Sequence, residues 1–181
     1  MANAVALLRA INVGGHTVTM AELRRLFEAA GFAGVSTFIA SGNVRLQVNL
    51  RQRRAVERRI SSMLQVALGY EVASFLRSRD ELASVVAHQP FADDMLKGAL
   101  AMNVAFRHEP PRAEAEARLL ALRTDIDDFS VHGPHVYWVC RVKQSASRVS
   151  GATLERALGV PATLRSLNSL RRLAASFDAP D

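Results

Sequence analysis

Val35-Ser36-Thr37-Phe38-Ile39-Ala40-Ser41-Gly42-Asn43-Val44-Arg45-Leu46-Gln47-Val48 decides the fold. Val35 to Ala40 and Val44 to Val48 are rich in β-branched and apolar residues, and Ser41-Gly42-Asn43 between them consists of turn formers. Two such runs on a short connection predict a β-hairpin. Upstream, Ala4 to Arg9 reads as a short buried strand, broken at Val13-Gly14-Gly15. Thr19-Met20-Ala21-Glu22 has the spacing of a capping box, in which the hydroxyl accepts from an early helical amide while the glutamate reaches back. Met20, Leu23, Leu26, Phe27 and Ala30 then recur at helical spacing as far as Gly31. Downstream, Val56, Ile60, Met63, Leu64 and Ala67 mark a second amphipathic helix from about Leu50 to Leu68. Gly69 ends it, and Glu71 to Leu76 reads as a fourth strand. Strand, helix, strand, strand, helix, strand is the split βαβ, or ferredoxin-like, plan.

The order begins again in the second half. Asp80 is expected to cap a helix through about Ala87, closed by Pro90. Leu100 to Phe106 predicts a strand, and Pro111 the first turn of a helix with Ala115, Leu119 and Leu122 on its apolar stripe. Phe129 to His132 and Val136 to Val142 form a hairpin about Gly133-Pro134, and helices from about Thr153 to Leu158 and Leu167 to Phe177 follow. The expected class is α+β: two ferredoxin-like (α/β-plait) units packed together, with mixed or antiparallel sheets and helices on one face. The first unit covers residues 1–90 as βαββαβ plus a helix, and the second covers 91–181 and ends in helices.

Composition narrows the classes further. With 181 residues, 49% of them apolar, the chain holds one domain or two small ones, which excludes a large multidomain enzyme and a disordered protein. The net charge of +6 comes almost wholly from arginine, 21 residues against two lysines, and bears on partners rather than on fold. Cys140 is the single cysteine, so no internal disulfide exists and a reducing compartment is expected. Arg9 cuts the first apolar run short, and no run approaches the ~18–20 residues of a membrane span. A soluble, cytoplasmic protein without a membrane partner is the expectation. Nothing in the chain fixes an oligomeric state.

Several stretches together resemble the DUF1697 family, bacterial proteins of unknown function. Leu7-Leu8-Arg9-Ala10-Ile11-Asn12-Val13-Gly14-Gly15 is similar to its opening motif, as are Met20 with Leu23, Gly31-Phe32, Val35, Thr37 and Ser41-Gly42-Asn43-Val44. Phe75-Leu76-Arg77, Gln89-Pro90-Phe91 and Ala162-Thr163-Leu164-Arg165 look like later signatures. Two departures stand out: the family usually has glycine where Ala10 stands, and Asn-Trp-Asn-Thr where this chain reads Ser166-Leu167-Asn168-Ser169. The resemblance implies two α/β-plait units and no established activity, cofactor or substrate.

Three groups of residues carry candidate chemistry. Arg9, Asn12, Gly14 and Gly15 form a glycine-containing turn before a helix, a place where backbone amides can cradle an anion, although neither a P-loop nor a G-x-G-x-x-G pattern is present. Ser41, Gly42 and Asn43 could share a pocket with that turn, since a strand order of this kind brings the end of the first strand beside the start of the third. Arg165 offers a planar fork for carboxylate or phosphate. The expected partner is a small anionic ligand bound by these residues, the reaction being unassigned. As an alternative, Arg51, Arg54 and Arg58 on the second helix could contact nucleic-acid phosphates; as a third, the motifs serve folding alone. His132-Gly133-Pro134-His135 has no third ligand, so no metal is expected, and no cofactor either. Cys140 and the aspartates Asp125, Asp127 and Asp128 read as a buried thiol and as caps or solvated turns.

Overall fold

The computed structural model describes residues 1–178. The chain divides into two compact units, Met1–Leu82 and Ala83 onward. The first contains β1 (Ala2–Leu8), α1 (Met20–Ala29), β2 (Ala33–Phe38), β3 (Asn43–Val48), α2 (Arg53–Leu68) and β4 (Ser74–Ser78). Its sheet runs in the order β2-β3-β1-β4 with every neighbouring pair antiparallel. Alternation along the strands sends Ala4, Ala6, Leu8, Val44, Leu46 and Leu76 into one core with Leu23 and Phe27 of α1 and Ile60 and Leu64 of α2. Each fully buried large apolar side chain there contributes about 1.5–3 kcal/mol by leaving water.

The division falls within α3 (Arg79–Ala87), which is followed by the short α4 (Asp93–Leu96), β5 (Ala101–Phe106), α5 (Ala113–Leu120), β6 (Asp127–His132), β7 (His135–Cys140), α6 (Gly151–Leu158), β8 (Thr163–Ser166) and α7 (Leu167–Ala175). The second sheet is ordered β6-β7-β5-β8, again antiparallel throughout. Position for position this is the order of the first sheet. The α+β, ferredoxin-like reading therefore holds in both units.

Within that frame the sequence misplaces details, each for a physical reason. Periodicity misses β8: it has four residues, and its last, Ser166, is itself the cap of α7, so no separate turn marks the boundary. Asp80 does not cap α3. Ser78 does, its Oγ accepting from the Glu81 amide at 3.0 Å while the Glu81 carboxylate accepts from the Ser78 amide at 2.7 Å, a reciprocal box. The box expected at α1 is half formed. Thr19 Oγ1 accepts from the Glu22 amide at 3.1 Å, but the Glu22 carboxylate turns to Arg25 at 2.7 and 2.8 Å. Pro111 precedes α5 rather than opening it. Asp127 is no solvated turn: it is 2% exposed and accepts from Trp138 Nε1 at 2.8 Å and from Ser147 Oγ.

The two halves also share a tripeptide. Leu76-Arg77-Ser78 ends β4, and Leu164-Arg165-Ser166 ends β8. In each the arginine stands opposite a valine of the unit's first strand, Val5 and Val104, and its Nη1 donates to the preceding carbonyl at 2.8 Å. In each the serine caps the next helix, Ser166 Oγ accepting from the Ser169 amide at 3.2 Å. Desolvation lowers both guanidinium pKa values to about 10, with Glu81 and Glu57 opposing the shift at Arg77. Both arginines stay charged at neutral pH.

Candidate functional site

β1 and β3 pair with Leu7 opposite Asn43, so the exit of β1 and the β2–β3 turn emerge at the same end of the first sheet. Backbone and side-chain bonds then tie the two loops together. The Leu8 amide donates to the Gly42 carbonyl at 2.8 Å. Asn12 Nδ2 donates to the Ala40 carbonyl at 3.2 Å, while Asn12 Oδ1 accepts from the Val18 amide at 2.7 Å. Asn43, 1% exposed, donates from Nδ2 to Ser41 Oγ at 2.8 Å and to the Phe38 carbonyl at 3.2 Å. A Cβ at residue 42 would stand 2.9 Å from Ile11 Cβ, and φ there is +70°, so glycine is required for both space and conformation.

The backbone of these loops is unusual. Among the described residues, the non-glycine positions with positive φ are Ala10 (65°), Asn12 (56°) and Ile39 (48°), and all three lie here. Gly14 (62°), Gly15 (86°) and Gly42 (70°) join them. A left-handed conformation costs a residue with a Cβ about 1–2 kcal/mol, and a β-branched residue such as Ile39 is a true outlier. Gly14 and Gly15 have nothing within 4 Å of where a Cβ would lie, and residues 13–17 are exposed. Arg9 opens the loop half-buried, its amide donating to the Ala73 carbonyl at 2.8 Å. Because Glu22 forms a fork with Arg25, which holds its carboxyl below the usual range, its charge is neutralised locally at the start of α1.

Sequence reasoning found the two loops and missed what flanks them. The His16 ring stacks on Tyr70 with centroids 3.8 Å apart and planes at 21°. Residues 54 positions apart give no local pattern for such a pair. Ile39 looked like an ordinary strand residue. Ala10 alone carried a signal, since the glycine usual at that place in the resembling family is what a left-handed backbone favours.

The remaining candidates belong to other elements. Arg165, in the second unit, is 9% exposed and donates to Thr163 Oγ1 and the Leu164 carbonyl, both at 2.8 Å. On α2, Arg54 pairs with Glu57 at 3.4 Å and Arg53 with Glu81 at 2.7 Å, while Arg59 donates to the Ala30 carbonyl and lies over the Phe32 ring. Arg51 and Arg58 are exposed and make no ion pair among the described residues. His132 stacks on His88 at 4.1 Å, and burial together with the His132 charge lowers the His88 pKa. Burial raises the Cys140 thiol pKa, and no cluster of three or more His, Cys, Asp or Glu that could hold a metal occurs among the described residues. No described helix is long and apolar enough to cross a membrane.

A model of the family described as "Protein of unknown function (DUF1697)" matches residues 1–137. No curated protein matches the chain. A solved structure of the conserved bacterial protein SP0830 from Streptococcus pneumoniae is similar over 99% of each chain, with a TM-score of 0.75 and 19% sequence identity. At that identity the likeness concerns the fold alone.

Proposed function

The chain belongs to the DUF1697 family, and from that premise we propose that it binds a small anionic ligand where residues 9–15 and 39–43 meet. One observation carries this: six left-handed residues, three of them with side chains, are concentrated in two loops that bond to each other. Strain of this kind persists only where the surroundings enforce it, and it gathers at ligand clamps. The exposed amides about Gly14 and Gly15 are the donors for the anion, as in backbone nests. Asn12, Ser41 and Asn43 hold the loops in register, Gly42 permits their contact, and Arg9 supplies positive charge. No reaction is assigned.

Thermal unfolding with inorganic phosphate, pyrophosphate and nucleotides tests the reading. A bound anion at about 100 times its Kd stabilises the fold by about 2.7 kcal/mol. Gly15→Val puts a branched side chain on the open side of the loop and is expected to abolish the ligand-induced shift while the variant remains folded. If none of these anions moves the transition, the reading fails.

A second reading, non-specific nucleic-acid binding along α2, draws on the charge distribution. Residues 1–82 carry 11 arginines against six carboxylates, while the rest of the chain is nearly balanced.

A further inference from the structure

We propose that the ligand of this edge carries a planar heterocycle beside its anionic group, as a mononucleotide does, and that His16 is the surface on which the heterocycle stacks; this rests on the reading above. His16 directly follows Gly15, one Cα step of ~3.8 Å, so ring and glycine amides lie within the span of one nucleotide. One face of the imidazole is covered by Tyr70 while His16 remains exposed, and the uncovered face is the one the heterocycle would meet. Tyr70 is anchored by packing against the first unit's core, and its buried hydroxyl has no hydrogen-bond partner among the described residues. The backing ring is thus fixed from below, and the His16 amide, donating to the Val13 carbonyl at 3.1 Å, fixes the loop from within.

The neighbouring side chains agree with a heterocycle. Val13 is 55% exposed and Ile39 36%, and these two large apolar residues stand on the two loops of the edge. A bare phosphate gains nothing from an aromatic platform with apolar flanks. A base does, because stacking on an aromatic ring is favourable for any π face and independent of hydrogen-bond pattern.

Calorimetric titration of the full chain with ADP and with inorganic pyrophosphate separates the two levels of the argument. ADP is expected to bind about tenfold more tightly than pyrophosphate, the size of a single stacking contact. His16→Ala should erase that preference and leave pyrophosphate affinity unchanged, and His16→Phe should restore it. Tyr70→Phe retains the backing ring and should keep the preference intact. Equal affinities for the two ligands, or a preference untouched in His16→Ala, overturns the stacking surface while anion binding stands. Binding of neither ligand removes both. Binding of a single-stranded oligonucleotide without binding of ADP also overturns it.

Discussion

Ala10 holds φ at 65° with a side chain that disfavours it. Ala10→Gly is therefore expected to stabilise the protein by about 0.5–1 kcal/mol, the relieved strain of about 1–2 kcal/mol less the added freedom of the unfolded chain. Urea denaturation reads this directly, and a destabilised variant would contradict the left-handed assignment. Asp127 gives the opposite case. Its carboxylate is the acceptor for Trp138 Nε1 and Ser147 Oγ inside the second unit. Asp127→Ala leaves those donors buried and unpaired, at an expected cost of about 3 kcal/mol by the same measurement. The difference between the two residues shows what single positions reveal. A turn glycine or its replacement leaves a mark in sequence, because it answers to local dihedral angles. A buried aspartate in an acidic stretch does not, because Thr124 is its one local side-chain partner while Trp138 and Ser147 lie 11 and 20 residues onward.

Elements follow the same division. Helices α1 and α2 are legible because apolar spacing and a glycine at or just past the end agree in both, with a threonine cap added at α1. β8 and the cap of α3 are not, since a strand that passes straight into a helix offers no punctuation. Ser78→Ala and Ser166→Ala should each cost about 1 kcal/mol in thermal or urea unfolding, as the loss of a cap does. Near-equal values are expected from their matching positions. At α2 the neutralised arginines set a limit on nucleic-acid binding. With Arg51 and Arg58 as the uncommitted pair, the logarithmic salt slope on single strands should be about −1.4, against about −3.5 if all five arginines met phosphates. Where α3 ends, His88 is stacked on His132 and its pKa lies below 6.5 in the folded state. A base whose folded pKa is depressed takes up its proton more readily when unfolded, so stability present above pH 6.5 declines as the pH falls below it. Denaturation at a series of pH values should show this decline, and His132→Ala should lessen it, since burial is the larger cause of the shift and the His132 charge the smaller.

At the scale of the whole molecule, what the sequence carried was order rather than identity. Two sheets with one strand order arise from halves whose plain shared string is Leu-Arg-Ser, and a structure only 19% identical keeps the fold over 99% of the chain. Periodicity and turn chemistry suffice for that. They did not suffice for the edge of the first unit, where β1–β3 register brings the left-handed residues of two loops together and the ring of His16 meets that of Tyr70, far along the chain. The charge excess in residues 1–82 likewise belongs to the chain's overall distribution and to no single motif. The contact between Gly42 and Ile11 extends this to heredity. Position 42 answers to two constraints at once, the space taken by Ile11 and Leu8 and a φ of +70°, so shrinking residue 11 alone would not admit a side chain there. A lineage that replaced that glycine would lose the junction before it lost the sheet.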